Sequence, residues 1–316
     1  MIPATTPLDR AQGCLLGQLG GDSLGSLVEF TSPLNIRFDY PNGPRKLKNG
    51  GTWDLLAGQP TDDSEMALML ARTLVRERTY DAQAVREAYL WWLASHPFDV
   101  GNTVLAGLNG RPNPKSQSNG SLMRISPLGI FGANQPPNRV AEWALLDAGI
   151  THVHPVCGQA SALYSMAVAH AIRCGCTPAA LYAQVVDWAR EMPLEEGLRT
   201  ALLTAADAPP VDYVTNMGWV LIGFGNAFWQ LLHAPNLEEG VVDTVRRGGD
   251  TDTNAAIAGA LLGAVYGRGA VPEQWVQCIL NCRPDKAQPE VVHPRPPELW
   301  PVDALELAEA LLTAAE

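Results

Sequence analysis

Two stripes of small residues constrain this chain more than any other feature. Gly13, Gly17, Gly21 and Gly25 recur every fourth residue near the start, and Ala255, Gly259, Gly263 and Gly267 repeat that spacing near the end. Positions four apart share one face of a helix, and glycine inside a helix costs about 1 kcal/mol relative to alanine. A whole stripe of it points to two helix backbones in close approach. If the stripes face each other, Asp22 and Glu29 come near Asp250 and Asp252 across about 220 intervening residues. The alternative is that the glycines mark an irregular, looser helix.

The rest of the chain also reads as helical. Alanine, leucine and valine at three- and four-residue spacing predict helices within Met66 to Val75, Val85 to Leu93, Gly158 to Ile172, Pro178 to Ala189 and Ala255 to Val265. The one strand-like candidate is the short run Asn35 to Tyr40. The expectation is therefore an all-α protein, with functional loops at Pro41 to Gly51, Asn109 to Gly120, Gly132 to Asn138 and Ala208 to Val214. The proline-rich stretch Arg283 to Pro301 is expected to wrap the surface before a last helix, Val302 to Ala315. No composition shift or repeat divides the 316 residues, so one domain over 1–316 is expected.

Composition excludes several function classes. A net charge of −11 disfavours nucleic acid and anionic membrane as partners and suits a site that recruits divalent cations. No segment is apolar for the roughly 18 residues that a membrane span needs. The start, Met1 to Pro7, lacks the basic and apolar runs of a secretory signal, and the expected location is the cytoplasm. Six cysteines are too few to staple a chain of this length and read as free thiols, most of them buried. The spacings Cys174-x-Cys176 and Cys278-x3-Cys282 are not those of a usual zinc site.

Chemistry concentrates in two acid clusters. Thr61-Asp62-Asp63-Ser64 stands directly before the amphipathic run Glu65 to Val75, where one Asp or Ser suffices as a helix cap. Two adjacent carboxylates repel unless a cation sits between them. Gly248-Gly249-Asp250-Thr251-Asp252-Thr253-Asn254 repeats the construction before the small-residue helix. Carboxylates and hydroxyls without nearby His or Cys are hard oxygen ligands, suited to Mg²⁺, Mn²⁺ or Ca²⁺ rather than Zn²⁺ or Cu²⁺.

These residues, in order, resemble the ADP-ribosylglycohydrolases, a family that includes the dinitrogenase-reductase-activating glycohydrolase and the ADP-ribosylarginine hydrolases. The resemblance covers most of the chain and rests on Gly13 to Gly17 and Gly21 to Gly25 running on to Glu29, Thr61 to Ser64, Asp99 to Thr103, Ser118 to Arg124, Thr151-His152 and Gly248 to Asn254. It implies a compact orthogonal helical bundle with a binuclear metal cleft, in which Thr61, Asp62, Asp63, Asp250, Asp252 and Thr253 hold two divalent cations, Mg²⁺ or Mn²⁺. It places Glu29 beside the metals, as a ligand or as the residue that positions or deprotonates the attacking water, a proton that Asp62 could also take. Asp99 would border the leaving side chain. Ser118, Asn119, Gly120 and Ser121, with Met123 behind them, would bind substrate by cradling a pyrophosphate, and His152 would contact ribose or phosphate. Arg124 could pair with phosphate or with a structural carboxylate. Trp219, Phe224 and Trp229 fit a core better than a platform for adenine.

The implied reaction hydrolyses the bond between ADP-ribose and a protein side chain, foremost arginine, through an oxocarbenium-like transition state. Partners would be ADP-ribose and an ADP-ribosylated protein, met by a monomer. Serine-linked or small-molecule conjugates, a non-catalytic ADP-ribose-binding protein and a two-metal phosphoesterase are the competing readings.

Overall fold

The computed structural model describes residues 5–315. The helices run in the order α1 Pro7–Gly25, α2 Pro33–Asp39, α3 Asp62–Glu77, α4 Ala82–Ala94, α5 Asn102–Leu108, α6 Ser126–Phe131, α7 Pro137–Gly149 and α8 Pro155–Cys174. They continue as α9 Pro178–Glu191, α10 Glu196–Thr204, α11 Val220–His233, α12 Leu237–Arg246, α13 Thr251–Tyr266, α14 Glu273–Asn281 and α15 Ala304–Ala314. Among the described residues there is no strand, only isolated bridges between Gly50 and Leu55 and between Ser118 and Trp219. The chain is all-helical, and the five helices expected from periodicity all form.

The two stripes meet. α1 and α13 lie backbone to backbone, so a Cβ on Gly17 would collide with the carbonyl of Gly259, one on Gly21 with that of Ala255, and one on Gly13 with Gly263 and Gly267. Both helices are buried almost end to end, with α3, α8, α11, α12 and α15 packed around them. The glycines therefore belong to a close approach of regular helices. At its far end α1 delivers Asp22 and the Glu29 turn to the start of α13, where a Cβ on Gly25 would strike Asp252.

The strand-like reading of Asn35 to Tyr40 is corrected: Asn35 to Asp39 belong to α2 and Tyr40 is its C-cap. Ser32 caps the helix by accepting from the N–H of Asn35 at 3.3 Å, and Pro33 occupies the first turn, where its missing N–H costs nothing. An apolar run this short has no periodicity of its own to separate strand from helix. Two smaller differences follow from proline placement. Pro137 starts α7 inside the expected loop 132–138, and Pro301 to Asp303 form a single 3₁₀ turn, so the last helix begins at Ala304.

Of the cysteines, all free, Cys14, Cys157 and Cys282 are buried while Cys174 is exposed and Cys176 and Cys278 are half-buried, fewer buried than expected. No helix among the described residues is long and apolar enough to cross a membrane.

Candidate metal centre

The site begins with a cap supplied from another helix. Asp22, buried on α1, accepts from the N–H of Thr61 at 3.2 Å, from the Thr61 hydroxyl at 2.9 Å and from the N–H of Ser64 at 3.1 Å. Those donors are the first turn of α3, whose own N-cap side chain makes no capping bond. Asp22 thus performs the capping that a residue of the Thr61-Asp62-Asp63-Ser64 segment would otherwise supply. Asp62 and Asp63 are surplus to helix formation.

The second cluster is aimed by a glycine turn. Gly248 and Gly249 have φ of 73° and 78°, a left-handed conformation that glycine adopts at no steric cost, and a Cβ on Gly249 would strike the carbonyl of Tyr213. Thr251 donates to the carbonyl of Gly25 at 2.7 Å, which ties the start of α13 to the end of α1. Thr253 donates to Asp63 Oδ2 at 3.2 Å and so joins the two acid clusters. Asp250 accepts from the side-chain amide of Asn119 at 2.7 Å.

Glu29 completes the arrangement. Its Oε2 accepts from the indole N–H of Trp53 at 2.6 Å, while Glu29, Asp250 and Asp252 each offer an oxygen within 4.8 Å of the others. The next residue, Phe30, has φ of 61°, uncommon for a bulky side chain, and is held there by its N–H on the carbonyl of Gly249 at 2.8 Å. These carboxylates open onto a cavity of about 370 Å³ lined by Glu29, Asp62, Asp63, Asp99, Asp250 and Asp252. Ser118, Asn119, Gly120, Met123, Met217 and Gly218 line it as well. Phe30 and Thr253 also face it, and neither Lys nor Arg does.

The electrostatics follow from that composition. Burial pushes Glu29 up to about 8, with the charges of Asp99 and Asp250 adding to it and the Trp53 bond opposing. Asp62 and Asp252 are driven well above the usual carboxylate range, first by burial and then by neighbouring acids, and Asp63 likewise. Asp99 and Asp250 are also raised, again chiefly by burial. Asp63 Oδ1 is buried with no hydrogen-bond partner. An orphaned carboxylate oxygen among like charges, surrounded by hard oxygen donors, fits a divalent cation.

Some residues singled out from the sequence stand behind the cavity wall. Thr61 is buried and donates to Asp22 and Asp63, and Ser121 is buried against Ser161. His152 is buried, shares hydrogen bonds of 2.8 Å with Ser118 and with Thr151, and backs Gly120. Burial, then the charge of Arg124, lowers its pKa to about 3, so the ring is neutral. Arg124 pairs with a structural carboxylate: its guanidinium reaches Asp147 at 3.0 Å, Thr151 at 2.9 Å and the carbonyl of Gly120 at 3.2 Å. Phe224 is core, whereas Trp219 is 39% exposed and donates to Gln117 at the rim of a neighbouring cavity that shares Ser118, Met217 and Gly218. Trp53, Phe30, Met217 and Gly218 carried no motif. The one available signal was that Trp53 follows, by two residues, the loop 41–51 expected to be functional.

A family model described as ADP-ribosylglycohydrolase matches residues 3–314. The ADP-ribosyl-[dinitrogen reductase] glycohydrolase of Rhodospirillum rubrum is 32% identical over 85% of this chain and 89% of its own length. An ADP-ribosylarginine hydrolase of Pseudomonas putida is 27% identical over 94% of this chain and 81% of its own. A solved structure titled as an ADP-ribosylglycohydrolase-related protein complex superposes with a TM-score of 0.80 at 27% identity, covering 98% of this chain and 99% of that one.

Proposed function

The chain belongs to the ADP-ribosylglycohydrolase family, and from that premise we propose that it is a metal-dependent hydrolase that removes ADP-ribose from arginine side chains of modified proteins. The observation that carries this reading is the convergence of Glu29, Asp250 and Asp252 within 4.8 Å in a cavity that also holds Asp62, Asp63 and Asp99. The choice of arginine leans on the names of relatives, one of which is an ADP-ribosylarginine hydrolase.

In this proposal Thr61, Asp62, Asp63, Asp250, Asp252 and Thr253 hold two divalent cations, Mg²⁺ or Mn²⁺. Such ions, when bound, fix ribose hydroxyls and lower the pKa of water. Trp53 occupies Oε2 of Glu29, which leaves Oε1 to take the proton of the attacking water, with Asp62 as the second candidate. Asp99, which lines the same cavity, receives the leaving guanidinium as a planar, paired cation. In the same cavity the amides of Asn119, Leu122 and Met123 are taken up by backbone carbonyls, so Gly120, which lines it, is left to offer its N–H to a pyrophosphate. Ser118 adds a hydroxyl oriented by neutral His152. We read the protein further as one domain over residues 1–316, acting as a monomer in the cytoplasm. Its six free thiols suit a reducing compartment.

The test is release of free ADP-ribose from arginine- and serine-modified proteins with Mg²⁺, Mn²⁺ or chelator, comparing wild type with Asp252→Ala. Metal-dependent release from the arginine conjugate, abolished by the substitution, is the expected result. Release only from the serine conjugate would transfer the proposal to that linkage, and binding of ADP-ribose without release would replace the hydrolase by a binding protein.

A further inference from the structure

α2 wears its apolar face outward. Of its seven residues only Ile36 is buried, while Leu34 is 72% exposed and Phe38 85% exposed. The two are four positions apart and therefore share one face of the helix. Scattered apolar residues are ordinary on a protein surface, but a short helix that buries one side chain and presents two large ones to water is not organised by the core beneath it.

The position of α2 says what this face is for. Phe30, itself 56% exposed, lines the reaction cavity, and Thr31 accepts from the N–H of Gly249 at 3.3 Å. The four residues from Phe30 to Leu34 can span at most about 14 Å, so the apolar face begins beside the cavity mouth. The stretch of chain that holds it is basic where the whole protein is acidic. In a chain of net charge −11, the stretch 31–50 holds Arg37, Arg45, Lys46 and Lys48 against the single acid Asp39. Arg45 is matched by Glu238 and Glu239 at 2.7–3.0 Å, whereas Arg37, Lys46 and Lys48 are exposed.

We propose that the outward face of α2, with Leu34, Arg37 and Phe38 on the helix and the exposed Lys46 and Lys48 following in the chain, docks the modified protein itself, taking an apolar patch with acidic neighbours next to the ADP-ribosylated side chain. The inference rests on the reading of function above, since only a macromolecular substrate extends beyond the cavity. It locates selectivity for the protein outside the acid-lined pocket, on a surface that a small ADP-ribose conjugate never reaches.

The experiment compares two substrates. One is bulk soluble protein modified on arginine by a mono-ADP-ribosyltransferase; the other is ADP-ribosyl-agmatine, which carries the same linkage and no protein surface. The double variant Leu34→Asp with Phe38→Asp replaces only exposed side chains, and its melting temperature should match the wild type. Its KM for the modified protein is expected to rise about tenfold or more, equivalent to roughly 1.4 kcal/mol, with KM and kcat for ADP-ribosyl-agmatine unchanged. Equal kinetics of variant and wild type on both substrates would overturn the docking surface while leaving the hydrolase reading intact. A wild type that cleaves neither substrate would remove both. Sedimentation of wild type as a dimer that dissociates in the variant, without a change in substrate preference, would reassign this face to a second copy of the chain and overturn the proposal.

Discussion

Buried acids are handled in two ways in this molecule. In the scaffold each is given a cation from the chain: Asp147 is paired with Arg124 at 3.0 Å, and Glu65 takes both nitrogens of a fork from Arg295 at 2.7 and 2.9 Å with the Trp92 indole added at 2.7 Å. In the cavity six acids share one space, with only neutral donors from Trp53, Asn119, Thr61 and Thr253. Asp22 sits between the two regimes, buried but satisfied by the first turn of α3. The contrast separates structure from function without reference to motif. Asp147 and Glu65 are given a counter-charge by the chain; the cavity acids are given none, and the proposed divalent cations would supply it.

The largest expected effect tests the cavity side. Asp252→Ala should lower the rate of ADP-ribose release by about a thousandfold or more, because it removes a group acting on the reacting centre. Activity within a few-fold of wild type would break the comparison. On the scaffold side, Arg124→Met should cost about 3–5 kcal/mol in urea unfolding by stranding Asp147 in the interior, and pairing it with Asp147→Leu should recover most of that loss. Next comes the packing that brings the clusters together. Gly17→Ala thrusts a methyl into the Gly259 carbonyl and should cost about 1–3 kcal/mol, with cation affinity falling alongside because the α1 and α13 ends move apart. The smallest effect sharpens the contrast most. Asp252→Asn keeps an acceptor for the Thr253 N–H at 2.9 Å but removes one repelling charge, so in chelator its melting temperature should stay level or rise by a few degrees, opposite in sign to Arg124→Met.

Much of this was legible in the sequence because it is written in local spacing. The four-residue glycine period specified which faces of α1 and α13 meet, and adjacent carboxylates at two helix starts marked the cavity. What escaped is what spacing cannot encode. Asp22 reads as a lone acid in a helix, and its role as the cap of α3 exists only across 39 to 42 residues of separation. Trp53 carries no signal of its own in the sequence, and its role appears only once Glu29 is folded against it. Ser121 and His152 belong to motifs, yet a motif does not say which of its members face a ligand and which support the ones that do. α2 was misread as a strand because seven residues with one buried side chain give no period to count.

Cation stoichiometry measures the central claim most directly. Protein stripped with chelator and then dialysed against Mn²⁺ should retain two ions per chain by metal analysis, with a matching rise in melting temperature, and the Asp252→Asn variant should lose ions and rise together. Wild type that binds no Mn²⁺ or Mg²⁺ and melts unchanged in their presence would contradict it, leaving the six cavity acids without the counter-charge on which the account depends.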